Sequence, residues 1–317
     1  MITLEWLYVL AGLMFAAFAL LSALDRTNGK RFGNAVFWGL MALSLLGGST
    51  IGDLANGLLV LGLAALAGFG LIGRGNPPTT SEAEREASSA RLGNKLFLPA
   101  LIIPATALIG TLLYTYTPLG ASGLFQPKRE TYILLGLGVL LALAVIQLWL
   151  KPPAIAPLQE GRRLIDSIGW AAVLPQMLAA LGVVFAAAGV GTIIGDTTKA
   201  LIPEGSIFLT VVVFALGMAL FTMIMGNAFA AFPVMAAAIG VPLLIGSYGG
   251  NPAVIGAVGM LAGFCGTLMT PMAANFNLVP AALLELKDRN AVVKAQVATA
   301  LPLLAFNILM LYGFGFR

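Results

Sequence analysis

Two short polar segments interrupt long apolar runs in the second half of the chain. The first is Met-Gly-Asn-Ala-Phe at Met225–Phe229, and the second is Thr-Pro-Met-Ala-Ala-Asn-Phe-Asn at Thr270–Asn277. Neither segment contains a charged residue, yet both combine helix-weakening residues with side-chain amides. Irregular backbone at membrane depth is tolerated only where protein or a water-filled cavity covers it, and broken helices form the substrate and ion sites of secondary transporters. The pair of interruptions therefore predicts a permease.

The first interruption has the residues needed for a tight turn that faces an anion. Gly226 permits a sharp turn of the backbone, and the amide of Asn227 both donates and accepts hydrogen bonds. If the turn lies at mid-membrane, the helix that starts near Ala228 and Phe229 presents backbone N–H groups to a carboxylate. The alternative is a plain turn between two spans near the inner surface, and the sequence leaves it open.

The second interruption brings hydroxyls and amides into an otherwise apolar run. Thr267 and Thr270 precede the break, Pro271 removes a backbone donor, and Asn275 and Asn277 follow. Buried polar groups need partners, so a cluster of this kind predicts a lined cavity that binds the substrate's polar groups. A kinked helix whose amides tie neighbouring spans together is the alternative.

Composition limits the class of protein and of chemistry. The chain is 59% apolar and 9% charged, against about 25% charged residues in soluble domains, which indicates an integral membrane protein. It contains no histidine, and no acid pair, metal-ligand cluster or activated nucleophile stands out, so we expect neither an enzyme nor a cofactor. We also expect no nucleic-acid partner, because the net charge of +4 fits the positive-inside rule.

The predicted spans lack ionisable residues at their centres, which argues against a proton relay. Ion coupling would then depend on carbonyl, hydroxyl and amide oxygens, which suit a hard cation such as sodium. A sodium ion is therefore a possibility near Asn227, Thr270 and Asn275.

Hydropathy predicts an all-α membrane protein with about eight spans, a re-entrant hairpin over 207–245 and a broken helix over 252–284. The other predicted spans are Trp6–Leu24, Val36–Ile51, Leu54–Ile72, Leu96–Tyr116, Thr131–Leu150, Ile168–Ile194 and Ala295–Phe314. With an outside N-terminus, only Lys128, Arg129, Lys199 and Arg317 of the 17 Lys and Arg residues fall outside. That asymmetry predicts a membrane protein with both termini outside. Charge counting does not separate a re-entrant 207–245 pair from two full spans.

Four segments organise the predicted chain. The segment before the first transport-like span ends in Pro157–Ile165, which resembles a basic interfacial helix or, equally, an ordinary basic loop. The four are N-terminal spans at 1–73, a cytoplasmic linker at 74–95, scaffold-like spans with the interfacial helix at 96–165, and a transport-like half at 166–317.

The order of motifs after Trp170 resembles one half of the ion-transporter superfamily that includes sodium-coupled dicarboxylate carriers. Three stretches show this resemblance: Ala179–Val190, Phe221–Pro233 and Gly266–Asn277. They look like a glycine-rich span, a hairpin and an unwound loop of those carriers. The hairpin tip departs from the carriers' Ser-Asn-Thr, because here the tip has Gly226 and Ala228 on either side of the asparagine. The hydroxyls that help bind carboxylate and cation in those carriers are therefore missing.

A closer resemblance covers nearly the whole chain. Leu4–Leu7, Arg91–Pro99 and the block Thr222–Asp288 look like a bacterial permease family labelled as a domain of unknown function. Its members are described as the larger subunit of a two-component 5-oxoproline transporter that works with a smaller membrane protein. The resemblance implies a location in the bacterial inner membrane and a small organic anion as substrate, carried by alternating access. It also implies a smaller partner subunit that supplies the other half of the site.

We find one hairpin-and-loop set in the sequence, so a second copy of the chain is another way to complete the site. Two other functions stay open at this point. The chain could be a non-transporting scaffold or assembly subunit of a membrane complex, or a passive organic-anion channel.

Overall fold

The structure is a computed structural model that describes residues 1–77, 79–201, 203 and 205–316. Within those residues the chain is helical, without a β-strand; one isolated bridge pairs Ile2 with Phe125. The chain forms two compact units, Met1–Gly169 and Trp170–Arg317. Arg317, one of the cations predicted outside, lies beyond the described residues.

The first unit contains seven α-helices among its described residues, and they pack mainly as neighbouring pairs. α1 packs along α2, and α5 along α6. Trp38 and Phe37 of α2 are buried at 1% and 0% exposure, and the Trp38 ring stacks on Phe15 of α1 at 5.7 Å. The helices are α1 Leu4–Leu24, α2 Arg31–Gly47, α3 Gly52–Gly68, α4 Glu82–Leu92, α5 Phe97–Tyr116, α6 Glu130–Leu150 and α7 Ala156–Ile168.

α7 covers the stretch for which the sequence left a choice between an interfacial helix and a basic loop. It starts next to Pro157, at the position where proline's missing N–H costs no hydrogen bond, and ends at Gly169. Arg162 and Asp166 are buried, at 5% and 8% exposure. The helix therefore turns two charged residues toward α1 and α2, which the basic character of the segment did not predict.

The second unit is built around α10, whose apolar residues form its core. Phe214 and Met218 of α10 are fully buried, together with Ile239, Leu304 and Leu311 from the surrounding helices. α10 packs on α12 and α14. The elements are α8 Leu174–Ala187, α9 Val190–Leu201, α10 Ile207–Met225, α11 Ala228–Met235, a π-helix Ala236–Ser247, α12 Pro252–Leu268, α13 Leu278–Leu283 and α14 Ala291–Phe314.

The predicted single span at Ile168–Ile194 is not one continuous helix. A short 3₁₀ turn at Gly169–Ala172 precedes α8, and α8 ends at Ala187 before Gly189. Gly189 has a φ of +70°, which is accessible to glycine without a steric cost. Hydropathy alone does not reveal this break, because both flanking segments are apolar.

Among the described residues, six helices are long and apolar enough to cross a membrane, so the chain is a multi-pass membrane protein with a lipid bilayer as its environment. α3 and α12 are also apolar but have only 17 residues each. A count of about eight spans is therefore not confirmed. The six are Leu4–Leu24, Ala83–Tyr116, Glu130–Leu150, Ile207–Met225, Ala228–Ser247 and Ala291–Phe314. Of these, Ala83–Tyr116 combines α4 with α5, and Ala228–Ser247 combines α11 with the π-helix.

The predicted re-entrant hairpin is not confirmed either. α10 has 19 residues, which at 1.5 Å per residue span roughly 28 Å, close to the ~30 Å hydrocarbon thickness. The return segment Ala228–Ser247 has 20 residues and also qualifies by length and composition. Both the hairpin and the two-span interpretation fit these lengths.

Candidate functional site

The first interruption forms a tight turn between α10 and α11. Gly226 takes a left-handed conformation with φ +72°, and its N–H donates to the carbonyl of Thr222 at 2.6 Å. Asn227 is extended, and its Oδ1 accepts from the N–H of Phe229 at 2.8 Å. Asn227 is therefore the N-cap of α11, since its side chain satisfies one of the amides that a helix start leaves without an intrahelical partner.

The second interruption is a non-helical segment between α12 and α13. α12 ends at Leu268, and residues 269–277 form turns before α13 starts at Leu278. The Thr270 hydroxyl donates to the carbonyl of Met223 at 2.9 Å and accepts from the N–H of Met272 at 3.1 Å. Thr270 thus joins the loop to the last turn of α10, over 47 residues of sequence.

Asn277 closes the loop from inside. Its side chain is fully buried, and Nδ2 donates to the carbonyls of Thr267 at 2.8 Å and Thr270 at 2.6 Å. Its Oδ1 is buried with no hydrogen-bond partner among the described residues. The Asn277 amide therefore ties the loop to the end of α12. The kinked-helix interpretation of the sequence expected this amide to tie neighbouring spans together.

The hairpin tip and the loop lie side by side in the second unit. Gly263 of α12 faces the tip, because a Cβ placed on it would lie 3.1 Å from Cβ of Ala228 and 3.3 Å from Oγ1 of Thr222. The rings of Phe229 and Phe264 meet edge to face, with centroids 5.6 Å apart. The structure thus brings the two predicted groups of site residues to one end of α10 and α12.

The predicted site residues of this region divide into those at the surface and those that are buried. Phe229 is 65% exposed, Pro271 and Asn275 are exposed, and Asn227 is half-buried. The remaining predicted site residues are buried: Gly226, Ala228, Thr267, Thr270 and Asn277. The first group lies at the surface of the second unit, and in the second group Thr270 and Asn277 hold the loop in shape through their hydrogen bonds.

Thr222 is a residue of this region that the sequence analysis did not assign to the site. It is fully buried in the last turn of α10, and its Oγ1 has no hydrogen-bond partner among the described residues. A threonine four residues before the Gly226 turn was the available signal, but threonine is common in membrane helices. Thr222 Oγ1 and Asn277 Oδ1 are therefore two buried oxygens of this region without a partner.

A small cavity of about 180 Å³ lies next to the loop, between α12 and α14. Its polar contributions come from Thr267, Cys265 and Asn307, whose Nδ2 lies 3.4 Å from the Cys265 sulfur. Asn307, in α14, is another residue that the sequence analysis did not assign to the site. The other lining residues are Leu261, Phe264, Leu268, Phe276 and Leu303.

Comparison with known proteins gives one match. No curated protein and no solved structure is similar enough to this chain to count as a match. One family model, described as "Protein of unknown function (DUF979)", matches residues 5–316. The predicted resemblance to a family of unknown function is thereby confirmed, and the description of that family gives no substrate and no partner. Because the match extends over nearly the whole chain, this protein belongs to the family of unknown function DUF979.

Proposed function

We propose that this chain is the membrane subunit of a secondary transporter for a small organic anion. The observation that supports this is the meeting of two helix breaks through the Thr270–Met223 hydrogen bond of 2.9 Å, whose two residues are 47 apart in sequence. Two breaks at one place leave backbone amides and carbonyls that a continuous helix would use internally. Polar backbone of this kind is the usual binding surface of transporters with broken helices.

The chemistry of the tip suits a carboxylate. α11 starts at Ala228, so the positive end of its dipole and the amides of its first turn lie at the tip. Phe229, exposed above this turn, offers an apolar face beside the anion site. Asn275, exposed on the neighbouring loop, offers an amide.

5-Oxoproline is our proposed substrate, since it combines one carboxylate with a compact lactam ring. The carboxylate would bind at the start of α11, the lactam would pair with the Asn275 amide, and the ring would contact Phe229. The residues of the tip and loop have no charged side chain, which favours a monoanion over a dianion. We assign the chain a binding and transport role and no catalytic step.

For a coupling sodium ion we propose two buried oxygens in place of the three residues expected from sequence. Asn227 Oδ1 and Thr270 Oγ1 already have hydrogen-bond partners. Thr222 Oγ1 and Asn277 Oδ1 have none among the described residues, and hard cations bind oxygen ligands of this kind. We therefore propose that any sodium ion binds on the buried side of the loop.

A second set of helix breaks would complete the site in a transporter with inverted repeats. We propose that a smaller membrane subunit supplies it, and a second copy of this chain is the alternative. Both proposals predict that the chain on its own has an incomplete site.

The test is uptake of labelled 5-oxoproline into proteoliposomes, with this chain alone or co-purified with its smaller partner, each with and without a sodium gradient. Saturable uptake with counterflow is expected with the partner, whereas unsaturable flux would indicate a channel. Asn227→Ser retains an oxygen that can cap α11 but removes the amide. Uptake that falls in Asn227→Ser while the protein stays folded supports the site, and unchanged uptake excludes the Asn227 amide as a substrate contact. If no arm shows uptake, the scaffold interpretation replaces the transporter.

A further inference from the structure

A second group of buried polar side chains lies in the first unit, where α1 ends, α2 begins and α7 packs. Asp25, directly after α1, forms an ion pair with Arg162 of α7. Asp25 Oδ2 and Arg162 Nη1 are 2.8 Å apart, and each side chain is only 6% exposed. Asp166 lies one helical turn beyond Arg162 and is 8% exposed. The proposed transport site uses none of these residues.

Asp166 is bound by neutral donors. Its Oδ1 accepts from Nε1 of Trp38 at 2.7 Å and from Nδ2 of Asn34 at 3.0 Å. Asn34 is itself fixed by the backbone of Gly73, donating to its carbonyl at 2.7 Å and accepting from its N–H at 2.8 Å. A carboxyl oxygen accepts both bonds whether the other oxygen is ionised or protonated. The hydrogen bonds of Asp166 therefore do not require a negative charge.

The charges of the group do not balance when both acids are ionised. Two buried carboxylates, Asp25 and Asp166, then share one buried guanidinium, Arg162, which is hydrogen-bonded to Asp25. An uncompensated charge away from water is costly, and a buried acid usually avoids the cost by taking up a proton.

The other cations near the group are directed elsewhere. Lys30 Nζ and Arg74 Nη2 each donate to a backbone carbonyl at 2.6 Å. Arg163 is paired with Glu160 at 2.8 Å. Arg31 lies over the ring of Phe32 at 4.7 Å, and Arg26 is exposed. Among the described residues, Arg162 is thus the cation whose charge acts on Asp166.

We propose that Asp166 is a proton-binding site that sets how tightly α7 is held against α1, on which it packs, and against the Trp38 and Asn34 side chains of α2. With a proton on Oδ2, the group is neutral in sum and Oδ1 still accepts from Trp38 and Asn34. When the proton leaves, one negative charge remains buried beside α7, and the attachment of this helix weakens. Burial raises the pKa of Asp166, and this effect outweighs the Trp38 hydrogen bond and the Arg162 charge, which lower it.

The direction of the pH effect follows from that shift. Because the folded-state pKa of Asp166 lies above its value of about 3.9 in an unfolded chain, the proton stabilises the fold. The stabilisation is complete below that unfolded value and is lost as pH rises through the folded-state pKa. α7 is thus held more tightly on the acid side of this range.

Trp38 provides a local measurement of this proton. It is 1% exposed, and its indole N–H points at the titrating carboxyl, so its emission depends on the charge of Asp166. The other tryptophans, Trp6, Trp149 and Trp170, are all exposed. Replacing those three with phenylalanine leaves one buried reporter in the full chain.

The experiment is a pH titration of Trp38 emission in detergent or nanodiscs. We expect one transition with a midpoint above about 3.9, and we expect Asp166→Asn, whose amide oxygen still accepts from Trp38, to abolish it. Asp25→Asn should move the midpoint down, since it removes a negative neighbour and frees Arg162. Glu160→Gln, whose carboxylate pairs with Arg163, is the matched control and should leave the midpoint in place.

Two results would overturn the proposal. One is an emission that does not change with pH while the protein stays folded. The other is a transition that persists unchanged in Asp166→Asn. If Asp166→Asn does not fold, the Asp25→Asn comparison decides, because a midpoint that stays in place when the neighbouring charge is removed excludes Asp166 as the titrating group.

Discussion

Removing the Asn277 amide should destabilise the second unit, whereas the same change two residues earlier should not. In Asn277→Ala the carbonyls of Thr267 and Thr270 lose their donor at a fully buried position. A buried polar group left without a partner costs about 1–3 kcal/mol. Asn275 is exposed, so Asn275→Ala removes no such bond and serves as the matched control.

The magnitude follows from two lost bonds. Two unsatisfied carbonyls cost about 2–5 kcal/mol together, of which loop relaxation recovers part. At about 2–4 °C per kcal/mol for a unit of 150 to 250 residues, the melting temperature falls on the order of 5–10 °C. The Asn277 Oδ1 has no partner among the described residues, so its removal offsets a small part of the cost.

Thermal unfolding of the two purified variants in one detergent measures the difference, with monodispersity after heating as the readout. We expect Asn277→Ala to melt well below the parent protein and Asn275→Ala to melt with it. At a temperature where both variants are folded, uptake should fall more in Asn275→Ala than in Asn277→Ala, since Asn275 is the exposed residue. Equal melting temperatures for the two variants would refute the conclusion that Asn277 holds the loop closed.

Three further results are expected. Gly266→Ala should destabilise the protein by about 1–3 kcal/mol, because a Cβ there would lie 2.3 Å from a backbone oxygen of α10. Gly256→Ala in the same helix is the control, since its Cβ would meet nothing closer than 3.8 Å. Equal unfolding midpoints for the two variants would contradict the close approach of α10 and α12. A cysteine introduced at Asn275 should react with a polar thiol reagent and be protected by 5-oxoproline, and a scaffold subunit would show no protection. Unfolding should become easier below about pH 4, because hydrogen bonds and the Arg162 charge outweigh burial and lower the pKa of Asp25. Asp25→Asn, compared by the same unfolding assay, should lack that acid-side loss.

Local chemistry made the helix breaks predictable. Gly226, with its left-handed φ, and the Thr270–Asn277 segment each contain residues that oppose a helix whatever surrounds them, and the structure has a turn or loop at the same positions. Composition likewise predicted the membrane class, and the described part of the chain contains six apolar helices of spanning length. The break at Gly189 was missed because a single glycine in an apolar segment is common in continuous membrane helices.

Long-range pairing was the part that the sequence did not reveal. Asp25 and Arg162 are 137 residues apart, and Trp38 and Asp166 are 128 apart. No local pattern specifies such partners, because each acid taken alone resembles an ordinary residue at the edge of a span. The four-residue spacing of Arg162 and Asp166 was the available signal, since it places both on one face of α7.

The candidate site separates into a frame and a contact surface, and this separation determines how substitutions there must be interpreted. The side chains of Thr270 and Asn277 donate hydrogen bonds to backbone carbonyls, and the side-chain oxygen of Asn227 caps α11. Truncating any of the three changes the shape of the site before it removes a contact with substrate. Phe229 and Asn275 are exposed, and their substitution leaves the frame intact. Loss of uptake therefore identifies a substrate contact directly at Phe229 and Asn275, whereas at the frame residues it does so only when the unfolding midpoint is unchanged.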